Sequence, residues 1–161
     1  MGEAKVRHLT SVRRLAAIMF TDIVGYTKMM GEDEEKALSV LRINREIHKK
    51  LIYQFGGQFL KEMGDGVLAS FENSSDAVIC AAAIQKASGE SKIDLRIGIH
   101  MGEVTFENND VFGDGVNIAS RIQPLAEPGQ ILISETVHSN VHNRPGITTH
   151  LIGEKDLKNV A

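Results

Sequence analysis

The chain has little of what marks a specialised protein. Among its 161 residues there is one cysteine, Cys80, so no disulfide framework can form, which fits a reducing compartment. Long hydrophobic runs are missing: the six-residue apolar stretch Leu15–Phe20 is too short to span a bilayer. Glu3 is acidic and no small-residue cleavage pattern follows, which argues against a signal peptide. A cytoplasmic protein is expected, or the cytosolic part of a larger or membrane-attached one. Neither sign of charge dominates. The net charge is −3 and the pI near 6.1, so no nucleic-acid surface is expected and an anionic ligand needs local help. There is no G-x-x-x-x-G-K-[ST] loop, and Gly113-Asp114-Gly115 lacks the third glycine of G-x-G-x-x-G. His138 and His142 have helical spacing without the adjoining Glu of H-E-x-x-H, and no repeat or low-complexity segment is visible. What remains, 42% apolar and 24% charged residues, suits one globular domain with a core that needs neither disulfides nor a structural metal.

Residues 1–14 are polar and basic and read as a leader or linker, with the domain over 15–161. Leu15–Asp22 reads as a buried strand broken by Gly25. From Asp33 to Phe55 the period is helical, with Ala37, Val40, Leu41, Ile47, Leu51, Ile52 and Phe55 on one face together with Asn44 and His48, and Gly56-Gly57 closing the helix. Gln58–Met63 and Val67–Phe71 form a hairpin across Gly64-Asp65-Gly66. Ser74–Lys86 is a second amphipathic helix, Ile93–Val104 a long strand, and Gly113–Ala126 a helix stopped by Pro128-Gly129. Ile131–Ile133 is a short strand, Ser134–Val141 a helix capped by Ser134, and Gly146–Ala161 reads as edge strands. This order predicts an α+β domain with a ferredoxin-like βαββαβ core and C-terminal additions.

Chemistry concentrates at two carboxylates. Asp22 and Asp65 each stand where an apolar strand enters a glycine-relaxed turn. An ionised carboxylate there is costly unless paired, hydrogen-bonded or bound to a cation. Each alone is as readily explained as a turn residue accepting backbone N–H bonds. Brought together, the two suit a pair of divalent cations held against a triphosphate. The turn at Gly25 offers N–H groups to phosphate where the next helix starts. Asn117 and Arg121 are i and i+4 on one helix face, suited to a sugar oxygen and to developing phosphoryl charge, although a solvated face explains the spacing as well. Cys80, His48, His100, Met29, Met30, Met63 and Met101 read as packing or structural residues.

Three segments, Phe20-Thr21-Asp22-Ile23-Val24-Gly25-Tyr26-Thr27, Lys61-Glu62-Met63-Gly64-Asp65-Gly66 and Phe112-Gly113-Asp114-Gly115-Val116-Asn117-Ile118-Ala119-Ser120-Arg121, together resemble the class III nucleotidyl cyclase catalytic domain, in order and spacing over roughly residues 15–158. The likeness is greatest to the bacterial homodimeric adenylyl cyclases. It implies that Asp22, Asp65 and the backbone at Ile23 hold two Mg²⁺ or Mn²⁺ ions per site. Ile23, Val24, Gly25, Tyr26 and Thr27 would face the phosphates. Lys61 and Asp110 would read adenine, Asn117 would position the ribose and Arg121 would stabilise the transition state. It implies ATP as substrate, cyclic AMP and pyrophosphate as products, and sites shared between the chains of a homodimer, with no nucleic-acid partner. A basic residue that often holds the terminal phosphates is replaced by Ile152 or Glu154, with Lys155 as a substitute. A regulatory domain on a longer parent chain is expected. A guanylyl cyclase, disfavoured by Lys61 and Asp110, and a silent nucleotide-binding or dimerising module are the alternatives. A cyclic-dinucleotide-forming palm domain lacks its Gly-Gly-acidic-acidic motif here.

Overall fold

The computed structural model describes residues 11–153. In chain order its elements are β1 (Ser11–Ile23), α1 (Tyr26–Glu32), α2 (Glu34–Gln54), β2 (Gln58–Met63), β3 (Gly66–Phe71), α3 (Ser74–Glu90), β4 (Leu95–Glu107), β5 (Asp110–Phe112), α4 (Asp114–Ile122), a 3-10 turn (Gln123–Leu125), β6 (Ile131–Ile133) and α5 (Glu135–Val141). The strands lie in the order β2-β3-β1-β4-β5, each antiparallel to its neighbours, and β6 pairs parallel with β4. With α2 and α3 as the crossovers, β1 to β4 form the expected ferredoxin-like core.

The alternation of β1 separates two interiors. Ala17, Met19 and Ile23 point into the larger core with Val67, Ala69, Leu95, Ile97 and Ile99, covered by Ile52 of α2, by Ala77, Cys80, Ala81 and Ile84 of α3, and by Val137 and Val141 of α5. Ala16 and Ile18 point the other way, into a smaller cluster with Leu68, Val104, Val111 and Ala119 of α4. Among the described residues only α4 and the turn after it pack on that second face, and Phe20 and Leu60 there are half-buried. The helices start where their caps dictate. Asp33 accepts from the Lys36 N–H to open α2, Asn73 from Asp76 to open α3, and Ser134 from Val137 to open α5.

Four differences from the sequence expectation have a visible cause, beside smaller shifts at the end of α3 and at both ends of β4. β1 begins at Ser11, so residues 11–14 belong to the sheet rather than to a leader. They pair with the long β4 from Ser11↔Glu107 to Arg14↔Val104. Their polar side chains conceal the strand: Arg13 bonds Glu103 and Arg14 lies over the Phe106 ring. The rest of that segment lies outside the described residues. A separate helix, α1, forms before α2, and Asp33 both ends the first and caps the second. α4 stops at Ile122 because Pro124 supplies no N–H to continue it, leaving a single 3-10 turn. No edge strand forms over residues 146–153, where Ile147 packs on the larger core and Thr149 bonds His138 instead. Residues 154–161 lie outside the described set.

Candidate active site

The two carboxylates converge. Asp22 stands at the end of β1 on the α4 side of the sheet, opposite Arg96 of β4. Asp65, in the β2–β3 turn, accepts the Ile23 N–H through Oδ2 at 3.0 Å. Oδ1 of Asp22 is buried and has no hydrogen-bond partner among the described residues. Burial pushes the Asp22 carboxyl up from its ordinary value of 3.8, and the Asp65 charge pushes the same way. The Gln123 side chain and the Arg96 guanidinium offset part of this. A desolvated carboxylate oxygen without a donor, beside a second carboxylate, is what a divalent cation relieves. The donor set is all oxygen, which suits a hard cation such as Mg²⁺ or Mn²⁺. Among the described residues no group of three or more His, Cys, Asp or Glu side chains gathers to form a closed cage. Two carboxylates with the remaining ligands left to phosphate and water is the usual manner of holding Mg²⁺.

The backbone after Asp22 is partly committed. The Ile23 N–H is taken by Asp65 and the Val24 N–H by the Asp94 carbonyl at 2.8 Å. Of the expected phosphate-facing segment, amide donors therefore remain at Gly25, Tyr26 and Thr27, because the first N–H groups of α1 have no intrahelical acceptor. Gly25 has φ +76, the left-handed conformation that turns the chain from strand into helix.

Lys61 and Asp110 also meet. Nζ lies 3.1 Å from Oδ1 and 3.3 Å from Oδ2. They sit on β2 and β5, at opposite ends of the strand order, so the sheet curls until its outer strands touch. The Val111 N–H first, and then Lys61, hold the Asp110 carboxyl below its ordinary range.

Asn117 and Arg121 lie exposed on one face of α4, while Ala119 and Ile122 are buried beneath. Among the described residues neither side chain makes a hydrogen bond or ion pair, and neither reaches Asp22, Asp65, Lys61 or Asp110 directly. Gly115 sets their position. A Cβ there would lie 2.8 Å from Val104 Cγ1 and 2.9 Å from the Glu103 carbonyl oxygen. Gly115→Ala must lift α4 from β4. It is expected to cost about 1–3 kcal/mol in a denaturant titration, and to lower turnover well beyond what the unfolded fraction explains.

Arg96 and Gln123 were not legible as site residues. Arg96 reads as the outward half of an alternating strand, and only the β1–β4 register sets it against Asp22. The remaining candidates behave as structural groups. His100 bonds Ser134 and is nearly buried, and burial pushes the Cys80 thiol up to about 12. His138 and His142 stack on each other at 5.3 Å, their Nδ1 atoms engaged by Thr149 and by backbone carbonyls. Met63, read as packing, is 44% exposed.

Known proteins resemble this arrangement along nearly the whole chain. Residues 12–160 match the family described as adenylate and guanylate cyclase catalytic domain. A putative adenylate cyclase 3 of Rhizobium meliloti is 40% identical over 157 residues, 92% of this chain and 27% of its own length. An adenylate cyclase of Streptomyces coelicolor is 34% identical over 76% of this chain and 33% of its own length. The chain thus spans between a quarter and a third of these relatives. The crystal structure of an adenylate/guanylate cyclase/hydrolase from Silicibacter pomeroyi superposes with a TM-score of 0.86 at 36% identity, covering 94% of this chain and 93% of that one. The adenylyl cyclase CyaB from P. aeruginosa, at 24% identity, shares the fold with a TM-score of 0.85 over 95% and 92%. By sequence and by fold, the chain belongs to the adenylate and guanylate cyclase catalytic-domain family.

Proposed function

We propose that this domain is an adenylyl cyclase, converting ATP to 3′,5′-cyclic AMP and pyrophosphate. The observation that carries the choice of base is the Lys61–Asp110 pair, held at 3.1 Å on the open face of the sheet. An ammonium donates to adenine N1 and a carboxylate accepts from the N6 amine. Guanine presents an N–H and a carbonyl at those edges, so both contacts fail and leave polar groups unmatched.

Asp22, Asp65 and the Ile23 carbonyl would hold Mg²⁺ or Mn²⁺, two per site, which supplies a more acidic ribose 3′-hydroxyl and neutralises triphosphate charge. The chain's own part is positioning and electrostatics. The Gly25–Thr27 amides face the phosphates. Arg96, across the ladder from Asp22, places a fixed cation beside the carboxylates and supplies charge that Ile152 and Glu154 do not. Asn117 orients the ribose while the 3′-oxygen attacks the α-phosphorus in line. Arg121 meets the charge that builds as pyrophosphate leaves.

The direct test is turnover of ATP and GTP with Mg²⁺ and with Mn²⁺. ATP is expected to be preferred by about 10²-fold or more in kcat/KM. Lys61→Glu with Asp110→Cys is expected to cut ATP turnover and bring the two nucleotides within about tenfold. Comparable kcat/KM for GTP in the unaltered protein rejects adenylyl specificity. No cyclisation of either nucleotide by a protein shown to be dimeric favours a silent module.

Among the described residues no helix is long and apolar enough to cross a membrane. The longer relatives support a regulatory domain on the parent chain, and a cytoplasmic setting, where the nucleotide is available, completes the reading.

A further inference from the structure

Behind Asp22, on the opposite face of β1, lies a polar cluster with no part in the chemistry above. Thr21, Asn44 and His48 are 2%, 0% and 0% exposed, inside an otherwise apolar interior. His48 Nδ1 lies 2.8 Å from the Asn44 carbonyl oxygen, one helical turn back in α2, and Nε2 lies 2.8 Å from Thr21 Oγ1. A carbonyl can only accept, so Nδ1 carries the proton. Burial pushes the imidazole pKa below its ordinary value, so the ring is neutral, Nε2 accepts, and the Thr21 hydroxyl donates to it. Nδ2 and Oδ1 of Asn44 are both buried without a hydrogen-bond partner among the described residues. Such a cluster is expensive, and apolar residues of the same volume would stabilise the core more. It sits at one residue of β1, the one immediately before Asp22. Pleating sends neighbouring side chains to opposite faces, so fixing Thr21 on one side fixes the direction of Asp22 on the other.

We propose that His48 is a positioning residue: through Thr21 it clamps the end of β1 to α2 and thereby holds the Asp22 carboxylate in the orientation that binds divalent metal. This rests on the assignment of Asp22 as a metal ligand. α2 has a second tether to the sheet, Arg45 Nε bonding Glu62 of β2 at 2.9 Å and 3.1 Å, which does not involve Thr21 and is separated from β1 by β3, so it serves as a control for the loss of an α2–sheet contact.

The experiment measures Mn²⁺ binding to the whole chain by electron paramagnetic resonance, without nucleotide, together with denaturant midpoints and steady-state kinetics. Thr21→Val keeps the shape and removes the hydroxyl. It is expected to weaken Mn²⁺ binding about tenfold, the lower end for partners that orient a metal ligand, and to lower kcat at saturating ATP more than it raises KM. Thr21→Ser restores the hydroxyl and is expected to return Mn²⁺ affinity to within twofold of the original. His48→Phe gives the same loss by cutting the contact from the other side and serves where Thr21→Val does not fold. Arg45→Met is expected to lower the denaturant midpoint while leaving Mn²⁺ affinity unchanged. Thr21→Val or His48→Phe protein that is folded and binds Mn²⁺ within twofold of the original overturns the inference, whatever its stability. Asp22→Asn separates the two readings. If it leaves Mn²⁺ binding intact, the metal assignment falls and the clamp with it. If it abolishes binding while Thr21→Val does not weaken it, only the clamp falls.

Discussion

Asp22→Ala and Asp65→Ala are each expected to reduce cyclisation by about 10³-fold or more, since the charge neutralisation they would anchor is worth several kcal/mol of transition-state stabilisation. Activity with either variant near the original, under saturating Mn²⁺, sinks the metal assignment. The two differ in what they do to the fold. Asp65 holds the Ile23 N–H, so its loss frees a backbone donor at the end of β1 and is expected to destabilise. Asp22 is desolvated with an orphaned oxygen, so its charge is a cost in the metal-free protein. Its folded-state pKa lies above the ordinary 3.8, which means that the native state binds the proton more tightly than the unfolded chain does. The cost is therefore fully present at pH values above the raised pKa and disappears as pH falls through it towards 3.8. Metal-free Asp22→Asn is expected to melt higher than the unaltered protein at pH 7, by about 2–4 °C for each kcal/mol relieved. The gap should close in acid. Saturating Mn²⁺ should raise the melting temperature of the unaltered protein but not of Asp22→Asn. A melting temperature for Asp22→Asn below that of the unaltered protein at pH 7 without metal contradicts the electrostatic account.

The fold was legible where local signals agreed with tertiary ones. β1, the β2–β3 hairpin, α3 and α5 each combined a clear period with a turn or cap residue, and Asn73 and Ser134 cap as their chemistry suggests. The failures have a common cause. Ser11–Arg14 carry no apolar alternation, yet a strand needs a neighbour's backbone more than it needs apolar side chains, and β4 extends to Glu107 to meet them. Gly146–Gly153 carry strand-like residues, but Ile147 packs on the larger core and Thr149 bonds His138 without a strand partner among the described residues.

The candidate site divides in the same way. Asp22 and Asp65 could be named because each stands in a compact motif, whereas Lys61 and Asp110 were named only through the family resemblance; the structure places the four in two pairs. Arg96 and Gln123 could not, because their relation to Asp22 is a matter of strand register and of how the chain turns after α4. Val24 was expected to face the phosphates with the rest of its motif, and its N–H is bonded to the Asp94 carbonyl. Sequence spacing reports which groups are near in the chain; whether a backbone donor is already spent depends on partners 70 residues away.

Mixing two inactive variants is expected to restore activity. The geometry of one chain motivates this. Lys61 reaches across to Asp110 on β5, whereas Asp65, four residues on, turns towards β1 and Ile23. Two groups so close in the chain and directed apart are poorly placed to grip the base and the phosphates of one extended nucleotide. Asn117 and Arg121 face solvent on α4, without contact to either carboxylate. A second copy related by a twofold axis resolves both points, one chain supplying Asp22 and Asp65 and its partner Lys61, Asp110, Asn117 and Arg121. Asp22→Ala and Arg121→Ala are each expected to be nearly inactive as homodimers. After free exchange at equal concentration, half of the dimers are mixed and each mixed dimer retains one intact site of two. About a quarter of the original specific activity should return. Specific activity of the unaltered domain should also rise with protein concentration, because the active species is the dimer. The double variant carrying both substitutions in one chain, mixed with the unaltered protein, provides the control: each site of its mixed dimers contains one substituted residue, so only the unaltered homodimers stay active and about a quarter of the original specific activity should remain, against about half if each chain completed its own site. No recovery in a mixture of the two single variants, with subunit exchange demonstrated by fluorescence transfer between labelled chains, rejects the shared site and requires each chain to complete its own.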